Sequence, residues 1–569
     1  MAGSACLQAV SLIGVDTFTV QVQACLTPGV PGLQVHGLPA DAAAGVEERV
    51  RDAIASSGLD WPQRHVTVSL LPAAVAKPGT GLDLPVAVAV LTANGVLPRQ
   101  ACADMLLFGE LGAGGAICAV PGAVAAARHA AATGIGTIVV PAANAAEARL
   151  VAGVRVVTAR TLRGLVALLR GDPPGGGPDA PPAPPVLPPP GGPGGLTGAR
   201  QADLADTQLP DSAVLALAAS AAGGHHLMVY GAPGSGARIL ADRLADVLPP
   251  LDPQAELEVA VIRSVAGLRG PGRTAAIRPP VAYLTPGTGP AGLRGHQPGP
   301  DDLHRPGVVS LAHHGVLRAD DLQRLPAAVL AALPGVLVQG AVDTLGPHGH
   351  CRFPARFVLA ATLTPCPCRA DRPAHCRCTP GQLRGHHARI PGRLLARLDL
   401  HVHLSALPAA RSADTLSPPS AGDQNPTPAS TAHPGAGATS TAPASTAPAT
   451  AALADQVGEA RDRARKRLDE TGWSCNAQVS RRALHADFRP SEYGARCLRR
   501  AQERGELSST GAAQVLRLAW TLADLDHQAR PGADHILRAL QYRRPFDIAA
   551  WAAARSPRGA SAASAHPAL

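Results

Sequence analysis

Two kinds of hydrophobic pattern recur along the chain. Residues 17–23 and 65–71 alternate apolar with polar positions, and residues 137–140 form a short apolar run rich in β-branched side chains; all three predict strands. Residues 41–57 and 122–132 carry apolar positions at helical spacing, with Asp41 placed as the N-cap of the first. Strands that alternate with helices predict an α/β fold. The middle of the chain repeats the alternation around residues 226–230, which read as a short buried strand; a helix follows from Ile239. Toward the end only helical patterns remain. Residues 512–525 show i, i+3, i+4 spacing, and Gly472-Trp473 separates them from an earlier charged helix.

Composition cuts this pattern into units. Residues 172–196 are almost all Pro, Gly and Ala, as in an extended linker. Residues 405–452 are rich in Pro, Ala, Ser and Thr, with too few large apolar residues to order themselves, and residues 553–569 are similar. The expected units are therefore 1–171, 197–404 and 453–552. A chain of 569 residues gives each enough length for its own core. No apolar run reaches the roughly 18 residues that cross a bilayer; the strongest, residues 84–97, contains Asn94. The first residues show no basic region and carry Asp16, so no secretory signal is expected. With eleven cysteines, a cytoplasmic chain is expected to use thiols or metal ligands rather than disulfides. The net charge of +9 favours an acidic partner such as nucleotide or nucleic acid. Nearly all of the basic charge is Arg; the lysines are Lys77 and Lys466.

The chemistry concentrates in the middle unit. Gly231-Ala232-Pro233-Gly234-Ser235-Gly236-Ala237-Arg238 follows the expected strand and opens the expected helix. In a phosphate-binding loop the glycine-rich backbone cradles phosphates, a Lys neutralises them and a Ser or Thr hydroxyl meets Mg²⁺. Gly231, Gly234, Ser235 and Gly236 suit such a loop. The Lys position holds Ala237 and the hydroxyl position holds Arg238, and no lysine in 197–404 can substitute. Farther on, Gly315-Val316-Leu317-Arg318-Ala319-Asp320-Asp321-Leu322 reads as a buried strand ending in two acids. In nucleotide hydrolysis the first would hold Mg²⁺ and the second orient the attacking water. A helix cap or a solvated turn is the other reading of such a pair. Arg318 and Ala319 stand where apolar residues are usual.

Cys366, Cys368, Cys376 and Cys378 form C-x-C-x7-C-x-C. Four thiolates so close in sequence suit a structural Zn²⁺ site, with His375 as an alternative ligand; reduced surface thiols are the competing reading. Arg461, Arg463, Arg465, Lys466 and Arg467, then Arg481, Arg482, Arg499 and Arg500, are candidates for DNA phosphate contact. Asp462, Asp469 and Glu470 interleave the first group, so a solvated helix face is the simpler reading there. Aromatic residues are too scarce for a single-strand stacking platform.

In their order, these motifs resemble the Mg-chelatase-like AAA+ proteins of the ComM/YifB competence type. Ser310-Leu311-Ala312-His313-His314, Phe353-Pro354-Ala355-Arg356-Phe357, the two cysteine pairs and Leu394-Leu395-Ala396-Arg397-Leu398-Asp399 follow one another as in that family. Gly37-Leu38-Pro39, Phe108-Gly109-Glu110-Leu111 and Thr471-Gly472-Trp473-Ser474-Cys475-Asn476 extend the resemblance over nearly the whole chain. It implies a leading domain with the fold of ribosomal protein S5 domain 2 and the Lon protease domain, a central AAA+ P-loop core working as a hexameric ring, and a C-terminal helical lid. It implies ATP and Mg²⁺ as cofactors and branch migration of DNA during recombination. It also implies that Thr364 fills a sensor position usually held by Asn and Thr510 a second sensor position usually held by Arg. Arg397 would be the finger that reaches a neighbouring subunit's nucleotide, and Val281-Ala282 replace a His-His pair. Gly81 takes the serine position of a Lon-type protease and no Lys follows it in that unit, so proteolysis is not expected. The losses gather on the γ-phosphate and its metal. The expectation is a ring subunit, alone or mixed with an intact paralogue, that binds ATP weakly and hydrolyses little or none. An active helicase and a decaying copy are the alternatives.

Overall fold

The computed structural model describes residues 3–172, 203–268, 278–296, 303–346, 349–404, 448–544 and 546–554. Almost all of the expected linker 172–196, insert 405–452 and tail 553–569 lies outside the described residues.

The leading residues build a seven-stranded mixed sheet. Its spatial order is Gly32–His36, His65–Leu71, Asp16–Thr27, Ser4–Ile13, Met105–Leu107, Thr137–Pro141, Arg155–Ala159. The alternation in Asp16–Thr27 buries Val20, Val22, Ala24 and Leu26 on one face. The apolar run after residue 83 is the helix Asp83–Ala93, buried along its whole length. It is a core helix, and among the described residues no helix is long and apolar enough to cross a membrane. One expected detail fails. The helix Ala40–Ser56 starts after Pro39, and Asp41 lies in its first turn without a side-chain cap bond.

The middle residues form five parallel strands in the order Val281–Leu284, Val316–Ala319, Val358–Leu363, Leu227–Gly231, Leu400–Leu404. The inner strands are buried on both faces, which explains their continuous apolar runs. This sheet and the first one share a core: Val10, Leu12 and Phe108 pack in the same cluster as Tyr230, Leu317 and Leu359. Two bonds to Ser264 pin the junction: Gly122 N–H donates to its carbonyl at 2.9 Å and Val124 N–H to its hydroxyl at 3.3 Å.

The last part is helical, as the periodicity predicts. Thr450–Leu468 and Ser509–Leu525 pack on the middle unit's helix Asp211–Gly223 around Leu217, Val457 and Leu518. The first of these starts three residues inside the stretch expected as insert, because Leu453 and Val457 already face the core. The basic face of that helix also departs from expectation. Arg461 donates to the Ala221 carbonyl, Arg463 to the Asp524 carbonyl, and Arg467 to Asp524 and Asn476 while stacking over Trp520. These three arginines turn into the protein instead of toward solvent or DNA. Arg465, Lys466, Arg481, Arg482, Arg499 and Arg500 stay exposed.

Asp524 is only 2 % exposed and depends on Arg467 for its countercharge. Arg467→Ala leaves Asn476 as its remaining side-chain donor. The expected loss is about 3 kcal/mol of unfolding free energy, measured by urea denaturation. A loss under about 1 kcal/mol, the range of an exposed pair, would contradict the arrangement.

Candidate functional site

The strand Leu227–Gly231 lies between two parallel neighbours, and the chain turns at its carboxyl end into the short helix Ala237–Asp242. Open parallel sheets place ligands at this edge. The loop's glycines are needed there. A Cβ on Gly231 would meet Ser235 Oγ at 2.1 Å, and Gly234 and Gly236 hold φ of 79° and 81°. Ser235 is 1 % exposed and its Oγ has no hydrogen-bond partner. The acid strand Val316–Ala319 lies two strands away, with Val358–Leu363 between. A cleft of about 330 Å³ brings together Gly231, Gly234, Ser235, Gly236, Ala237, Arg238, Asp320, Asp321 and Thr364. Thr362 and Arg369 complete its lining.

Two expected residues are elsewhere. Arg397 is exposed just ahead of Leu400–Leu404, whose start pairs with the start of Leu227–Gly231, so it sits at the end of the sheet away from the loop. Thr510 is exposed in the first turn of Ser509–Leu525 and does not line the cleft.

The acids are held by arginine. Arg318 is 1 % exposed, and its guanidinium bonds Asp242 Oδ1 at 2.9 Å and Asp320 Oδ1 at 2.7 Å. Arg238 Nη2 reaches the other oxygen of Asp320 at 3.0 Å. Arg369 Nη2 bonds Asp321 Oδ2 at 2.8 Å. Asp321 takes a left-handed φ of 49°, its N–H donates to Thr362 Oγ1, and its side chain caps no helix. The pair thus faces the cleft instead of serving as a helix cap. Both oxygens of the carboxylate that would hold Mg²⁺ are already bound by guanidinium groups.

Arg369 and Asp242 escape sequence reasoning. Arg318 carries the one available signal: a charge in an otherwise apolar strand must find partners once buried. Nothing in the sequence says that those partners are Asp242 and Asp320.

The cysteine cluster adjoins this site, and Arg369 belongs to the same loop. The sulfurs of Cys366, Cys368, Cys376 and Cys378 all lie within 4.8 Å of one another. Cys366 Sγ is 3.4 Å and Cys376 Sγ 3.8 Å from Cys368 Sγ. A tetrahedron of Zn–S bonds has edges of about 3.8 Å, so the donor set fits Zn²⁺. Burial pushes Cys366 up to about 12 and Cys378 up to about 11. Burial works the same way on Cys368, but hydrogen bonds from the Arg377 backbone and neighbouring thiols bring it down to about 6. Three of these sulfurs are buried, against the reading of surface thiols. His375, the alternative ligand, instead bonds Asp371 at 2.6 Å.

A second cluster of His and Glu side chains is joined by hydrogen bonds. Glu258 Oε2 lies 3.1 Å from His313 Nε2 and 2.8 Å from His314 Nε2. The Arg356 backbone N–H donates to His313 Nδ1, which puts that ring's proton on Nε2, facing Glu258. The cluster is a hydrogen-bonded staple. In the leading sheet, a Cβ on Gly81 would meet the Phe108 ring at 2.2 Å, so a serine there would require Phe108 to move. Lys77 spends its ammonium on the carbonyls of Gly37, Pro72 and Val75. Neither half of a Ser–Lys pair is in place.

A parallel sheet with a glycine loop and strand-end acids on one edge has the layout of a P-loop protein. The chain matches three family descriptions: subunit ChlI of Mg-chelatase over residues 22–144, magnesium chelatase subunit ChlI over 203–412, and magnesium chelatase subunit ChlI C-terminal over 447–543. It is 35% identical over 535 residues to an uncharacterised protein of Mycobacterium tuberculosis, covering 94% of this chain and 97% of the other. It is 31% identical to YifB of Escherichia coli over 71% of this chain and 77% of that protein. It is 28% identical to the competence protein ComM of Haemophilus influenzae over 93% and 96%. The chain belongs to the Mg-chelatase-like family that includes ComM and YifB.

Purified protein is expected to hold about one zinc per chain by elemental analysis, as four thiolates require. Cys366→Ser should lower that occupancy and the melting temperature together. Protein that is folded yet free of zinc at every preparation would show that the four cysteines hold no structural metal.

Proposed function

We propose that the chain is a ring subunit of the ComM/YifB type that binds ATP weakly, hydrolyses little or none, and works with DNA during uptake or recombination. The finer layout belongs to the same proposal: a leading domain of the ribosomal S5 domain 2 and Lon type, an AAA+ core, and a helical lid. The domain bounds are 1–171, 197–404 and 453–552.

One observation carries the loss of hydrolysis: Asp320 is bonded through both oxygens to Arg238 and Arg318. A Mg²⁺ there would displace Arg238 and lie beside a buried cation. At 4 Å and an effective dielectric of 20, each unit charge pair contributes about 4 kcal/mol, and the metal carries two charges. The loop also lacks its Lys. A charge-assisted bond contributes about 1.5–3 kcal/mol, so its loss weakens triphosphate binding roughly tenfold or more. Phosphoryl transfer relies on this neutralisation, so hydrolysis suffers more than binding.

Arg318 also argues against a decaying copy. A buried guanidinium is costly unless paired, and here two carboxylates and the Ala360 carbonyl meet it. The mixed ring has its own support. Arg397 is exposed and remote from this chain's cleft, as a residue acting on a neighbour's nucleotide must be. DNA contact falls to the exposed Arg465, Lys466, Arg481, Arg482, Arg499 and Arg500.

The test is ATP turnover by the purified protein. Expected is no Mg²⁺-dependent hydrolysis above background, unchanged by Asp320→Asn. Ala237→Lys should tighten ATP binding by about tenfold, with turnover still low until Arg238→Thr and Arg318→Phe together free Asp320. Robust Mg²⁺-dependent turnover that Asp320→Asn abolishes would contradict the proposal.

A further inference from the structure

We infer that the cleft accepts polyphosphate as the free anion, on arginine and without a divalent metal. This rests on the reading that the loop still binds nucleotide, and it specifies the ionic form bound. Arg238 and Arg369 keep 72 % and 53 % of their side chains exposed while lining the cleft. A guanidinium offers five N–H donors in a planar fork. Their carboxylate partners use only part of each fork: Nε and Nη2 of Arg238, and Nη2 of Arg369. The remaining donors suit a phosphate, which guanidinium recognises in bidentate fashion. Ser235 adds a buried hydroxyl with no hydrogen-bond partner to the lining of the same cleft.

The same geometry works against the metal complex. Mg²⁺ requires near-octahedral oxygen ligation, and its protein ligand would be Asp320. That carboxylate is released only if Arg238 swings away and buried Arg318 loses a countercharge. Free nucleoside di- or triphosphate also carries more negative charge than its Mg²⁺ complex. Metal binding and arginine binding compete at one carboxylate, and only the metal needs the existing pairs broken. A magnesium-dependent loop has the opposite preference.

The experiment titrates the full-length protein with a fluorescent ADP analogue, in EDTA and in excess Mg²⁺, and then displaces the analogue with inorganic tripolyphosphate. Expected is an affinity in EDTA equal to or several-fold tighter than in Mg²⁺, with displacement by tripolyphosphate. Arg369→Ala, at an exposed position that should not impair folding, weakens the EDTA affinity about tenfold. Arg369→Lys keeps the charge but not the fork, and recovers only part of it. Binding that falls tenfold or more in EDTA overturns metal independence while leaving nucleotide binding intact. Failure of tripolyphosphate to displace the analogue overturns recognition through phosphate. No binding in either condition overturns this inference and the weak nucleotide binding beneath it.

Discussion

A positive charge buried at 1 % exposure governs the site. Arg318 sits in the apolar strand Val316–Ala319, where an uncompensated cation would cost several kcal/mol. It is met from two sides. Asp242 comes from the helix that follows the glycine loop, and Asp320 from the end of its own strand. The loop helix and the acid strand are thereby tied together by charge. In a working P-loop site Mg²⁺ and nucleotide span that gap. Here Arg318 bridges it, and Arg238 closes over the other oxygen of Asp320.

The cysteine cluster contributes to the same geometry. Arg369 follows Cys368 directly, takes a left-handed φ of 57°, and bonds Asp321. Its placement depends on the fold of the loop that the four sulfurs gather. From the other side, His386 and His387 bond the carbonyls of Thr364 and Pro365, which sets the end of the central strand. Ile548 and Trp551 of the last described helix pack on the cluster. A structural metal there would fix both the arginine over Asp321 and the floor of the cleft.

Much of this was legible in the sequence. Strand and helix types follow from period, and the order of motifs locates the loop, the acids, Thr364 and the cysteines in neighbouring positions. Helix bounds shift by a residue or two, because propensity says little about which turn is first to face the core; Asp41 is such a case. The partner choices were not legible. Arg461, Arg463 and Arg467 look like a basic surface in sequence, but the packing of Ser509–Leu525 turns them inward onto carbonyls and Asp524. Arg318 looks like damage to a motif until Asp242, 76 residues earlier, is seen beside it. Long-range charge pairing leaves no periodic trace.

In the proposed reading, Arg238 and Arg318 take the place of a metal at Asp320. Electron paramagnetic resonance of Mn²⁺, a spectroscopic stand-in for Mg²⁺, tests it most directly when the metal is titrated into the protein with ADP. Expected is no protein-bound Mn²⁺ at the cleft, and a spectrum that Asp320→Asn leaves unchanged. A stoichiometric Mn²⁺ signal that depends on nucleotide and disappears in Asp320→Asn would contradict it.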